Sequence, residues 1–301
     1  MKKRSENRTR PCGGFTVWEL ICILGVIALL FALLMPSLSK VKRISTRVVC
    51  GTNLKGLGTA MMVYANDYED RYPELPGVGP WAKHLGFDYC IERVDFGPGG
   101  DQADVGRTVT ASWYLLVREA DVSPKSFVCP EAPQEPFGGR YLVYNRDIVS
   151  MWDFGNDPYR HVSYAMHLPY GRFPAKGNRG AAFAVAGDMS PWFENGDILP
   201  PGRDPQPPQL LTDSRSSSLY EGWGHRAANS SNHNHQGQNV LFGDGHSSFE
   251  KASDVGIKED GIYTYWPSAG AGDGEKRVGQ NPTARDPEND ARAAEDSFLA
   301  M

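Results

Sequence analysis

The pattern of apolar and polar positions divides the chain into an unbroken hydrophobic segment and a long, turn-rich remainder. From Phe15 to Met35 only Thr16 and Glu19 are clearly polar. A helix rises 1.5 Å per residue, so this stretch spans roughly 30 Å, the hydrocarbon thickness of a bilayer. After Pro36 the apolar positions recur at three- and four-residue steps, first Leu38, Val41, Ile44 and Val48. The same helical rhythm continues through Cys50, Leu54, Leu57, Met61, Tyr64 and Tyr68. Gly51, Gly56 and Gly58 fall inside it and predict a frayed or bent stretch, since each glycine costs up to about 1 kcal/mol relative to Ala.

Beyond residue 68 the signals are short. Residues 69–110 are punctuated by proline and glycine, which predicts loops with at most short elements around Trp81–Phe87. Ala111–Glu119 reads as a helix, while Val162–Met166 and Ala181–Ala186 read as strands. The proline-rich stretch 200–208 is poorly suited to pairing in a sheet. Gln238–Phe242 and His246–Glu250 flank Gly243-Asp244-Gly245, a strong hairpin signal. Beyond Pro267 the Gly-, Ala- and charge-rich composition predicts a disordered tail, 267–301, with a frayed helix near Asp290–Leu299. The predicted class is α+β, a long N-terminal helix leading into an antiparallel sheet with long loops.

Charge and composition narrow the picture. The 301 residues carry a formal charge of −5, with 33 Gly and 22 Pro, which fits a loop-rich domain better than a helical bundle. Residues 1–14 hold Lys2, Lys3, Arg4, Arg8 and Arg10 against Glu6, a net +4, so the remainder carries −9. That balance argues against a nucleic-acid partner. Lys40, Lys42, Arg43 and Arg47 follow the apolar run closely, so basic residues alone leave its orientation in a membrane undecided. A secretory signal would end its apolar region at a small-residue cleavage site, but Pro36-Ser37-Leu38-Ser39-Lys40 follows here.

The start of the apolar segment carries a more specific pattern. Gly14-Phe15-Thr16-Val17-Trp18-Glu19-Leu20, after a basic leader, resembles the signal of type IV prepilins and type II secretion pseudopilins. The resemblance implies cleavage between Gly14 and Phe15 by a prepilin peptidase, methylation of Phe15, and an assembly role for Glu19. Trp18 departs from the usual aliphatic residue, and Pro36 stands where many pilins kink their first helix. By this resemblance residues 1–14 are the leader, 15–68 the transmembrane and amphipathic helix, and 69–266 an extracytoplasmic pilin-like domain. Its implied setting is a bacterial inner membrane, with a cytoplasmic N-terminus and a periplasmic or extracellular C-terminal domain. The partners it implies are the peptidase, other pilin or pseudopilin subunits and inner-membrane lipid.

Two further segments resemble one branch of that family. Cys50-Gly51-Thr52-Asn53-Leu54-Lys55 and Phe127-Val128-Cys129-Pro130 suggest a Cys50–Cys129 disulfide, although spacing alone does not choose a pair among Cys50, Cys90 and Cys129. A His-x(9 or 10)-Asp-Gly-His form resembles the branch's C-terminal signature, here His233 or His235 with Asp244, Gly245 and His246. His233 and His235 bracket the commonest spacing, so the matching histidine stays open.

The cluster of Asn229, Asn232, His233, Asn234, His235, Asp244 and His246 is the densest candidate for chemistry. It could ligate a metal or supply a general base, making the chain a membrane-anchored enzyme or a ligand- or carbohydrate-binding protein. The ordinary account is structural, with loop Asn and His satisfying backbone groups and Asp244 bracing a turn. No second cysteine lies within metal-ligand spacing of Cys129, and no nucleotide-binding loop or nucleophile elbow is present. The sequence therefore assigns no cofactor, no metal and no catalytic residue, and favours a structural subunit.

Overall fold

The computed structural model describes residues 14–76, 81–84, 107–138, 147–199, 208–211, 226–285 and 290–301. Residues 1–13 of the leader, Cys90, His225 and nearly all of the proline-rich segment 200–208 lie outside them. The chain divides into two compact units, one ending at Ser45 and the other spanning Thr46–Met301.

Helix α1 runs over Val17–Asp67. Its apolar window has a mean hydropathy of 2.7 and none of it is buried, so by length and composition this helix can cross a membrane. Leu38, Val41, Ile44 and Val48 are exposed as well. From Cys50 onward one face turns inward, burying Cys50, Leu54, Leu57, Met61 and Ala65. Tyr68 departs from the predicted apolar face: it stays largely exposed and stacks on Tyr64 at 4.1 Å between ring centroids.

The interruption expected at Gly51, Gly56 and Gly58 does not occur, for α1 is continuous through all three. Packing explains two of them. A Cβ on Gly58 would stand 2.7 Å from Leu241 Cδ1, and one on Gly51 would stand 3.0 Å from Asn239 Oδ1. Glycine here is the condition for close approach of helix to sheet, which offsets its poor helix propensity.

That sheet has five antiparallel strands: β1 (Tyr164–His167), β2 (Ala184–Asp188), β5 (Gln238–Phe242), β6 (Ser247–Glu250) and β7 (Leu299–Ala300), in the order β6-β5-β2-β1-β7. Strands β3 (Phe193–Glu194) and β4 (Asp197–Ile198) form a separate small hairpin. The Gly-Asp-Gly segment joins β5 to β6, with Gly245 at φ +83°, a left-handed conformation that glycine adopts without strain. Central strands β1, β2 and β5 are buried along their whole length, as their apolar runs require.

Helix α2 (Val109–Glu119) packs into the core and is N-capped by Thr108, whose hydroxyl accepts from the Ala111 amide at 3.0 Å. Edge-on ring contacts among Tyr114, Phe127, Phe137 and Phe154 fill the space beside it. The α+β class with an antiparallel sheet is thus present.

The predicted disordered tail is corrected. Residues 267–285 include the short helix α3 (Asp273–Val278), and Leu299–Ala300 pair with β1 as the fifth strand. Phe298, Leu299 and Ala300 are fully buried, and no helix forms over the described part of 290–299. Gly- and Ala-rich composition describes average solubility, whereas two apolar side chains in register suffice to complete a sheet edge.

Candidate functional site

The polar cluster assembles where four distant segments meet under the sheet. Helix α1 supplies Cys50, and the segment after the 3-10 turn Pro124–Phe127 supplies Cys129. The end of β2 supplies Asp188, and a 3-10 turn over Ser231–His233 supplies His233. All four residues are buried.

Cys50 and Cys129 are joined as a disulfide with Cα atoms 5.3 Å apart. With 79 residues of separation, the cross-link stabilises the fold by about 4.5 kcal/mol in the chain-entropy account. It pins α1 to the loop that leads into the core.

His233 lies between two carboxylates. Its Nδ1 is 2.5 Å from Glu131 Oε2, and its Nε2 is 3.2 Å from Asp188 Oδ2 and 3.8 Å from Cys129 Sγ. Burial opposes charge on the ring, but the two carboxylates outweigh it and hold the His233 pKa above its ordinary value. Phe249 of β6 covers the imidazole edge-on at 5.8 Å.

Asp188 is fixed from several sides. Its Oδ2 accepts from the Asn239 backbone amide at 2.6 Å and from Asn239 Nδ2 at 3.1 Å. Its Oδ1 accepts from Asn232 Nδ2 at 3.4 Å, and Asn232 Nδ2 also donates to the Ser163 carbonyl at 2.7 Å. The turn carrying His233 is held in its own right, since Ser230 Oγ accepts from the Asn232 amide at 3.2 Å.

The other signature residues go elsewhere. His235, at φ 54°, places Nδ1 at 2.8 Å from the Asn229 carbonyl and shapes the loop. Asp244 Oδ1 accepts from the His246 amide at 3.0 Å, bracing the exposed hairpin tip, and also pairs with His246 Nδ1. The His246 ring stacks on Phe242 at 4.5 Å. Of the sequence candidates, His233, Cys50 and Cys129 join the buried cluster and Asn232 bonds to its Asp188, while His235, Asp244 and His246 do not take part. Asp188, Glu131 and Asn239 were missed, because nothing in chain spacing marks residues that meet only through strand pairing.

The cluster is closed. Side chains of His233 and Asp188 are 0% exposed, which leaves no room for a substrate. Larger hollows lie apart from it: one of about 660 Å³ lined by Tyr64, Tyr68, Tyr72 and Trp152, and one of about 470 Å³ lined by Arg71, Arg172, Lys176 and Arg179.

At the other end of α1, Gly14 and Phe15 precede the first turn and Phe15 is exposed. Glu19 Oε2 accepts from the Thr16 amide and from Thr16 Oγ1, both at 2.8 Å, and the Glu19 amide donates back to Thr16 Oγ1 at 3.3 Å. This is a capping box, and the Thr-x-x-Glu spacing before an apolar run is its sequence signature. Glu19 therefore has a partner within its own chain, which the sequence reading overlooked. Comparison with known proteins finds no matching family model, no matching curated protein and no matching solved structure.

Proposed function

We propose that this chain is a prepilin-like structural subunit of a type II secretion or type IV pilus-like filament. It is held in the bacterial inner membrane by the first half of α1, with the sheet-bearing domain on the far side from the leader. A prepilin peptidase cuts between Gly14 and Phe15, Phe15 is methylated, and the subunit passes from the membrane into a filament.

The observation that carries this reading is the placement of Gly14-Phe15 directly before the capped first turn of an exposed apolar helix. The same helix continues into a face buried against the sheet. A closed cross-link beside a closed ion pair supports a brace better than an active site. That weakens the alternative of a membrane-anchored enzyme built on the His/Asp cluster.

Intact-mass analysis of the chain recovered from membranes of a host with prepilin peptidase tests the reading. The expected product begins at Phe15 and carries one methyl group. Retention of residues 1–14, or cleavage after Met35, would remove the basis of the proposal.

A further inference from the structure

We propose that Cys50, Cys129, Asp188 and His233 form a zinc site when the Cys50–Cys129 disulfide is reduced. The same locus is then a cross-link in the oxidised chain and a metal centre in the dithiol chain. This inference rests on the cluster's geometry and does not depend on the role proposed for the membrane helix.

The donor set and its dimensions support zinc. One ligand atom from each residue lies within 4.8 Å of all the others, and all four residues are buried. Zinc takes sulfur at about 2.3 Å and nitrogen or oxygen at about 2.0–2.2 Å in a tetrahedron, which places N and O about 3.4 Å apart and S and N about 3.6 Å apart. The corresponding separations here are 3.2 Å for His233 Nε2 to Asp188 Oδ2 and 3.8 Å for Cys129 Sγ to His233 Nε2. The two sulfurs must separate from a covalent bond to a ligand-to-ligand distance, and the Asn239 amide, whose Nδ2 stands 3.2 Å from His233 Nε2, must give way to the ion.

The surroundings match those of a metal centre. A ligating imidazole commonly gives its remote N–H to a carboxylate, which fixes the tautomer with the other nitrogen facing the ion. Glu131 stands at His233 Nδ1 in that position. Asn239 and Asn232 orient the Asp188 carboxylate through hydrogen bonds that do not involve the cysteines. Two thiolates, a carboxylate and a neutral imidazole total −3, and a dication lowers this to −1 in a site closed to water. Structural zinc sites use closed four-ligand sets of this kind.

The exchange balances. A dithiol reductant gives two electrons and two protons to the Cys50–Cys129 bond and becomes a disulfide itself. Zinc then displaces the two thiol protons and bonds both sulfurs. Oxidation by a disulfide reverses the sequence and expels the metal, because a disulfide sulfur offers no thiolate.

The test uses the full chain in detergent with Cys12, Cys22 and Cys90 replaced by Ser, so that only the pair remains. Oxidised and dithiol-reduced samples, freed of reductant without air, are titrated with Co²⁺ as a spectroscopic probe and then with Zn²⁺. The reduced chain should take up one cobalt with thiolate charge-transfer and tetrahedral visible bands, surrender it to zinc, and gain thermal stability. The oxidised chain should do none of these. His233→Gln should weaken cobalt binding at least tenfold, and Glu131→Gln, which removes no ligand, about 10–100-fold. A reduced, folded chain without these bands overturns the proposal. So does binding that His233→Gln leaves unchanged, or a reduced chain that zinc fails to fold.

Discussion

Asp153 shows how much a single buried residue sets the response of this fold to pH. Burial pushes its pKa up to about 7, against hydrogen bonds from the Phe154 amide and the Thr108 and Thr110 hydroxyls. An unfolded Asp titrates near 3.9, so between about pH 4 and pH 7 the folded chain holds a proton that the unfolded chain has released. The stabilisation linked to it is complete below about pH 4 and is lost as pH rises through about 7. His167 works in the opposite sense. Burial lowers its pKa to about 4, while Nε2 bonds to the Phe173 carbonyl and Nδ1 accepts from the Phe298 amide. Its contribution is present above about pH 6.5 and is lost as pH falls through about 4. The two partly cancel in the native chain. Asp153→Asn keeps the shape and removes one titration, so its stability should rise more steeply with pH, by close to one proton or about 1.4 kcal/mol per pH unit. Urea unfolding at a series of pH values from about 4.5 to about 6.5 checks it. Parallel curves for the native chain and the variant would show that Asp153 does not hold that proton.

At the scale of elements, the first turn of α1 lets experiment separate a helix cap from the proposed assembly role. Glu19 completes a capping box with Thr16, which satisfies backbone donors of the first turn. The proposed assembly role asks more of the same carboxylate, namely a bond to the Phe15 amine of a neighbouring subunit after cleavage. Thr16→Val removes the hydroxyl of the cap but leaves the carboxylate, whereas Glu19→Leu removes the carboxylate and leaves the Thr16 hydroxyl to accept from the residue-19 amide. Both variants should be cleaved and retained in the membrane. Thr16→Val should still appear in sheared filaments, while Glu19→Leu should be absent from them. If the two variants behave alike, the carboxylate is a cap and the assembly role fails. The apolar run, the α2 segment and the Gly-Asp-Gly hairpin were legible because each is a local pattern of period or turn chemistry. The continuity of α1 through Gly51 and Gly58 was not, since it depends on Asn239 and Leu241 nearly 190 residues away in sequence. The choice between His233 and His235 was hidden for a different reason. Asn234 and His235 both adopt left-handed backbone, at φ 52° and 54°, which turns the chain between the two rings, and only His233 reaches the cluster.

For the whole molecule, residues 297–301 complete the sheet against which α1 packs from Cys50 onward. Strand β7 closes the sheet on β1, with Ala300 opposite Met166 and Leu299 opposite His167. Around it Ser297 Oγ accepts from the Ala184 amide, the Phe298 carbonyl accepts from the Leu168 amide, and the Leu299 amide donates to the Ile262 carbonyl. Composition over residues 267–301 conceals this, because the partner strand lies some 130 residues upstream and pairing across that distance leaves no local trace. Deleting residues 297–301 would strip the fully buried Phe298 and Leu299 side chains, each contributing about 1.5–3 kcal/mol by burial. It would also leave His167 Nδ1 and the outer edge of β1 unpaired. Summed against a typical stability of about 5–15 kcal/mol, that loss should abolish cooperative unfolding or lower the transition midpoint by more than about 10 °C. Phe298→Ala, which keeps the strand, should cost about 3–5 kcal/mol. Thermal unfolding measures the first and chemical denaturation the second, each followed by tryptophan fluorescence. A truncated chain that unfolds like the full-length protein would return residues 297–301 to the role of a dispensable tail.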